Sequence, residues 1–292
     1  MHEISDNQKK LMIALRYLLL VLVALIFILP IVFMIMSSFK PDDQLLRDSS
    51  SMRAFLPVGD LSFDNYVGAF ERVPMIRFVS NSLFVTGTTV VLALVVNSMA
   101  AYSFAIIPWK GRGIVLSIIL ATLIIPVEAV AIPLLLLVNQ LPWIGPGGLE
   151  FGWLNSYQVQ IIPFIADSLS IFLFYTYFKD LPEEIVEAAR IDGASIFQIY
   201  YRIIMPISGP VVATVAILKF LPMWNAYLWP LMTVQKEELR PVMVGLQYFF
   251  QLDVAWGEIM AYLTIITVPV LLFYLSLQRA FIESIASTGI KG

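Results

Sequence analysis

Residues 17–36 run for twenty positions without a charge, and the stretch is preceded by Lys9, Lys10 and Arg16. Coiled into a helix, twenty residues rise about 30 Å, the thickness of the hydrocarbon core of a bilayer. A cleaved signal peptide would have a shorter apolar centre, about 7 to 15 residues, and small residues at its end. Here Ser37-Ser38-Phe39-Lys40-Pro41 follows, so the run reads as a retained first span. Similar runs recur at roughly 78–108, 113–138, 159–178, 207–228 and 259–278, interrupted only by Glu128, Asp167 and Lys219. The fold class expected is all-α, a polytopic membrane protein with six transmembrane helices.

Composition agrees. Of 292 residues only 13% are charged, 18 basic and 21 acidic, about half the ~25% of an ordinary soluble chain. The apolar fraction is 59% and the mean hydropathy is +0.85. Cysteine is absent and the one histidine is His2, which excludes disulfides, thiol nucleophiles, Cys or His metal sites and histidine relays. A net charge of −3 offers no basic surface for nucleic acid. The function left open is that of a membrane subunit that works by moving helices or through partners.

Lys and Arg concentrate in short cytoplasmic loops. With the N-terminus inside, the cytoplasmic segments hold ten bases, among them the acid-free pair Lys110 and Arg112, and the outer segments hold seven. The expected organisation is a cytoplasmic tail (1–16), a first transmembrane helix (17–37), an extracytoplasmic segment (38–77), a permease core (78–279) and a cytoplasmic tail (280–292). The outer segment is polar and too short to fold alone. The loop 141–152, with Gly145-Pro146-Gly147-Gly148, reads as a turn-rich cap.

The most informative stretch is the cytoplasmic connector 179–206. Pro182 suits a helix start, Glu183, Glu184 and Glu187 sit near the positive end of that helix, and Gly193 supplies a left-handed stop. Ser195 and Gln198 have capping-box spacing, and Ile196, Ile199, Tyr200 and Ile203 then repeat at helical period until Pro206. The expectation is a helix-turn-helix with small residues Ala188, Ala189, Gly193 and Ala194 at its bend. On local physics alone it is equally an ordinary amphipathic connector.

Glu187-Ala188-Ala189, then Gly193 after three residues, then Ile203-Ile204-Met205-Pro206 after nine more, resembles the EAA motif of ATP-binding-cassette (ABC) importer permeases, with Met205 where Leu is usual. Asn65-Tyr66, Asn81-Ser82, Pro126, Pro133, Asn155, Trp224-Asn225 and Leu228-Trp229-Pro230 extend the resemblance to carbohydrate-uptake permeases of the MalG type. Ser284 and Thr288 depart from that pattern. The resemblance implies a type I ABC importer permease fold, in which Glu187, Ala188, Ala189, Asp192, Gly193 and Ala194 form a coupling helix against a partner ATPase and Pro206 ends the second helix. It also implies a second homologous permease, two ATP-binding subunits carrying ATP and Mg, an extracytoplasmic solute-binding protein and a carbohydrate substrate. No cofactor is expected on this chain, because no Gly-x-x-x-x-Gly-Lys followed by Ser or Thr occurs to cradle phosphate.

Counted from the cytoplasmic ends, Glu128, Asp167 and Lys219 lie at similar depth, roughly 18 to 24 Å across. Intramembrane charges face a bundle interior or an aqueous cavity, so two readings stand: a packing network, or a lining of the substrate path in which a free Lys219 would favour an acidic sugar. Trp224, Asn225, Trp229 and Pro230 near the outer end of the fifth span suit either an interfacial aromatic belt or a sugar-stacking surface. In the resembling permeases the loop 235–256 reaches the binding protein, which makes Gly245, Tyr248, Phe249 and Asp253 candidate contacts. The rival readings are a permease for a non-sugar solute and an ion-coupled secondary transporter using the three buried charges as a relay.

Overall fold

The computed structural model describes residues 6–145, 148–251 and 254–289, and it divides the chain into two compact units. One comprises Met1–Pro74 with Leu246–Val268, the other Met75–Gly245 with Pro269–Gly292.

In the first unit, the uncharged run is the middle of α1 (Asp6–Ser37), whose side chains such as Leu19, Ile26 and Phe27 lie exposed, as an apolar surface facing lipid would. The segment that follows belongs to the same unit. It forms α2 (Asp42–Asp48) and α3 (Asp64–Arg72), and packs with the start of α13 (Trp256–Gly289). Asp42 accepts hydrogen bonds from the backbone N–H groups of Trp256 (2.9 Å) and Gly257 (2.7 Å), which the first turn of α13 cannot satisfy internally. Arg72 meets Glu258 at 2.7 Å. Lys40, 1% exposed, donates to Asp48 Oδ2 (3.0 Å) and to the Arg53 carbonyl (2.6 Å). The Lys40 hydrogen bond holds the Asp48 carboxyl below the usual carboxylate range.

The second unit is built on α4 (Met75–Ala105), whose buried residues include Asn81, Ser82, Thr86, Thr89, Asn97 and Ser98. Lipid cannot satisfy such groups, so each must find a partner inside the protein. Thr89, for example, donates back to the Val85 carbonyl at 2.8 Å.

Two expected continuous spans are broken. The third is α5 (Arg112–Ile124) and α6 (Val127–Val138), bent by 107° at Pro126, which has no N–H to continue the ladder. The fourth is α7 (Tyr157–Phe164) and α8 (Ser168–Lys179), bent by 42°. The connector gives α9 (Glu183–Ile191) and α10 (Ile196–Ile207), then turns by 80° into α11 (Gly209–Trp224), followed by α12 (Leu228–Thr233). Among the described residues, three unbroken helices and three bent pairs are long and apolar enough to cross a membrane, up to six spans if each pair is one. The all-α expectation takes one amendment: the turn-rich cap holds an antiparallel hairpin, β1 (Pro142–Gly145) and β2 (Gly148–Phe151).

Candidate functional site

The helix-turn-helix forms as its residues dictate. After α9 the backbone turns left-handed at Gly193, φ +79°, and the Ala194 and Gly193 N–H groups return to the carbonyls of Ala189 and Arg190, each at 3.0 Å. This is the paired closure that glycine permits at a helix end. The capping box then starts α10: the Ser195 N–H donates to Gln198 Oε1 at 2.7 Å, and the Gln198 N–H to Ser195 Oγ at 3.3 Å. Pro206 does not end the second helix. It is accommodated by a π-helical stretch at Tyr200–Ile204, because without an N–H it cannot bond the carbonyl four residues back, and the break comes at buried Ser208.

One side of this hairpin is sealed to the spans. Val186 and Ala189 from α9 and Ile199, Tyr200 and Ile204 from α10 share a buried cluster with Tyr102, Phe174, Phe178 and Val215. Tyr102 Oη donates to the Ile196 carbonyl at 3.0 Å, and the Ser98 and Tyr200 hydroxyls lie 2.8 Å apart. The other side is bare. Glu187, Ala188, Asp192, Gly193 and Pro206 are exposed, Ala194 is half-buried, and the apolar Ile191 (86% exposed) and Phe197 (60%) project beside them.

At mid-span the structure brings together two of the three expected charges. Lys219 Nζ lies 2.9 Å from Asp167 Oδ2, so its charge is matched. Asp167 also caps α8, accepting from the Ser170 N–H (2.9 Å) and Ser170 Oγ (2.8 Å). The unwound turn between α7 and α8 is clipped by Asn97 of α4, which donates to the Ile165 carbonyl and accepts from the Asp167 N–H, both at 3.0 Å. Ser168 at the head of α8 shares a hydroxyl hydrogen bond with Thr122 of α5, so the third and fourth spans touch where they bend. Glu128 stays outside the cluster, exposed in the first turn of α6, where its charge complements the helix dipole.

Of the remaining candidates, Trp224 is buried at 2% exposure, stacked on Phe220, which itself stacks on Phe273. Its ring is closed to a sugar in this conformation. Asn225 is exposed beyond the end of α11, donating to the Leu221 carbonyl at 2.9 Å. Trp229 is buried, and its indole N–H donates to the Val159 carbonyl at 2.8 Å. Gly245 is buried, Tyr248 half-buried, and Phe249 fully enclosed against Tyr262; Asp253 lies outside the described residues.

A set of polar side chains that the sequence offered only as family likeness turns out to clip backbone. Asn65 donates to the Ser38 and Lys40 carbonyls (3.0 and 2.8 Å), and Asn81 to those of Glu238 and Arg240 (2.8 and 3.0 Å). Ser82 Oγ accepts from the Val242 N–H at 2.9 Å. Asn155, left-handed at φ +57°, accepts from the N–H groups of Gln235 and Lys236 (2.6 and 2.9 Å). The available signal was an amide residue in an apolar or turn-forming context.

The second unit thus combines broken spans, a matched charge pair at one break and a half-bare helix-turn-helix at the root of a span. Residues 93–287 match the family described as the binding-protein-dependent transport system inner membrane component, and the chain belongs to that family. It is 31% identical over 277 residues to the arabinooligosaccharides transport system permease protein AraQ of Halalkalibacterium halodurans, covering 92% of this chain and 93% of that one. It is also 31% identical to the probable starch degradation products transport system permease protein AmyC of Thermoanaerobacterium thermosulfurigenes, covering 93% and 94%. A bacterial ABC transporter involved in the import of the acidic polysaccharide alginate contains a chain that superposes with a TM-score of 0.73 over 96% of this chain and all of the other, at 22% identity. The fold is therefore that of a type I ABC importer permease.

Proposed function

We propose that this chain is one permease subunit of an ABC importer that moves a carbohydrate, of oligosaccharide size, across the cytoplasmic membrane by alternating access. In this reading ATP and Mg are held by two partner ATPases, a second homologous permease completes the path, and an extracytoplasmic binding protein delivers the sugar. Both termini lie in the cytoplasm. The carbohydrate assignment rests on the names of relatives such as AraQ and AmyC, aligned over nine-tenths of the chain.

The observation that carries the mechanism is the two-sided hairpin: bare at Ala188, Ile191 and Asp192, and fused to the span core through Val186, Ile199 and Ile204. A partner seated on the bare side moves the spans only if it binds one conformation better than the other. Glu187, Ala188, Asp192, Gly193 and Ala194 make that contact, while Ala189, expected with them from the sequence, is buried on the span side and supports it from beneath. The break around Asp167 and Lys219 belongs to the path, since unwound backbone at membrane depth persists where it is buried or lines a cavity. Affinity purification from native membranes tests the whole: an ATPase and a second permease should co-purify, and the reconstituted complex should import labelled oligosaccharide with ATP. Ion-gradient-driven uptake by this chain alone would sink the proposal.

A further inference from the structure

A cavity of about 240 Å³ opens beside the hairpin where three span ends converge. Its lining includes Ala105, the last residue of α4, Arg112, the first of α5, and Lys179, the last of α8. Residues that end or begin spans lie by construction at the level of the bilayer surface. From α9 it takes Glu183, Glu187 and Arg190, spaced i, i+4, i+7 and so on one face of that helix. That face is the root of the hairpin; Glu187 is the residue it shares with the bare side, and the apex at Ile191 to Gly193 lies beyond it.

The charges in this cavity do not cancel. Arg112, Lys179 and Arg190 stand against Glu183 and Glu187, three positive and two negative, and among the described residues none of the five is in an ion pair. Arg112 spends one donor on the Ile107 carbonyl at 3.1 Å, which leaves the rest of its fork open. Ile106, Phe178 and Leu181 give the remaining wall an apolar character.

We propose that this cavity binds a monoanionic phosphodiester carrying hydroxyl groups, supplied by the headgroup of an acidic phospholipid of the glycerol type. One phosphodiester charge balances the excess cation. Arg112 and Lys179 take the phosphate oxygens, which suits the planar fork and the point charge. The headgroup hydroxyls donate to Glu183 and Glu187, carboxylates that would repel a second phosphate. The bound lipid ties the root of α9 to the ends of α5 and α8.

The test uses the assembled transporter in nanodiscs of phosphatidylcholine with or without phosphatidylglycerol, and native mass spectrometry to count retained acidic lipid. Wild type should retain phosphatidylglycerol. Arg112→Gln with Lys179→Gln should lose about thirtyfold in apparent affinity, the loss of two cations beside a lipid phosphate. Lys110→Gln removes the same kind of charge from the same loop but does not line the cavity, and should retain the lipid; Lys179→Arg should retain it too, which also controls for misfolding. Equal loss in Lys110→Gln, or undiminished retention in the double variant, would overturn the site. Displacement of the lipid by soluble glycerophosphoglycerol at matched concentration would overturn the lipid as the source.

Discussion

Gly193 is the residue on which the hairpin turns, and two substitutions separate its backbone role from everything else. At φ +79° a side chain is strained, but an added Cβ would meet nothing within 4 Å in this chain. Gly193→Ala therefore carries only the left-handed penalty, roughly 1 kcal/mol. Burial of Val186, Ile199 and Ile204 contributes about 5 kcal/mol at ~1.5 to 3 kcal/mol for each large side chain. Packing exceeds the penalty, and the alanine hairpin stays formed.

Gly193→Pro is different in kind. It fixes φ near −65°, removes the N–H that bonds the Arg190 carbonyl at 3.0 Å, and disfavours the preceding Asp192 at ψ 0°. Together these cost about 3 kcal/mol or more, enough to compete with the packing and misplace the bare contact. In proteoliposomes containing the complete transporter, Gly193→Ala should import sugar with a near-normal ratio of ATP consumed per sugar, and Gly193→Pro should hydrolyse ATP with little import. Hydrogen exchange at the Ala194 amide should quicken modestly in the first and sharply in the second. Undiminished import by Gly193→Pro, or equal damage from the alanine, would refute the backbone argument.

The mid-span pair makes a second expectation: Lys219→Met, which strands Asp167, should destabilise the purified subunit by about 2 kcal/mol, below the ~3 to 5 kcal/mol of a fully buried pair because Asp167 is 32% exposed. Adding Asp167→Asn should recover part of that loss in thermal unfolding, and strict additivity would show that the two side chains do not interact. Asn155→Ala removes the one oxygen that accepts from two exposed N–H groups and should lower stability by about 1 to 2 kcal/mol, because water replaces part of what is lost, whereas Asn155→Asp keeps the acceptor and should be milder. For Asp48 the folded pKa is depressed below the ordinary 3.8, so its stabilising contribution is complete above that value and disappears as the pH falls through the lower folded pKa. Limited proteolysis of the 38–74 segment should show wild type and Asp48→Asn converging only at pH below about 3.8; a gap that persists at lower pH would contradict the assignment.

The residues that announced themselves in the sequence were those whose roles are local. Gly193, Ser195 and Gln198 act within a few positions of one another, so spacing alone placed the turn and the cap. Breaks in the third and fourth spans were harder. Pro126 and Pro133 both sit in an apolar run, yet the chain bends at the first and keeps helix through the second. The choice depends on what neighbouring helices can satisfy, as Asn97 does for the fourth span. Depth counting put Glu128, Asp167 and Lys219 at one level, but a pair also needs matching helix rotation, and the 107° bend at Pro126 carries Glu128 away from that register. The clips made by Asn65, Asn81 and Asn155 join carbonyls and amides far along the chain, and periodicity holds no record of such partners.

Under the proposed function, the placement of the Lys219–Asp167 pair bears on how a push at the hairpin would reach the path. α10 is sealed to α4 and α8 through Ile199, Tyr200 and Ile204, and buried Ser208 is the single residue between it and α11. Ten positions into α11, about 15 Å along its axis, Lys219 holds the capping residue of α8. α8 is thus gripped at both ends by parts that follow the hairpin, Phe174 and Phe178 at one end and Asp167 at the other. A rigid displacement of the hairpin cannot leave the break between α7 and α8 where it was without stretching either the packing or the ion pair. Carrying a two-state equilibrium from 1:99 to 99:1 takes about 5.5 kcal/mol of differential binding. A lone salt bridge partly open to solvent does not withstand that load, whereas a bridge acting with the α8 packing does. Lys219→Met should therefore loosen coupling without abolishing it, and a substitution that opens the packing, such as Phe178→Ala, should abolish it.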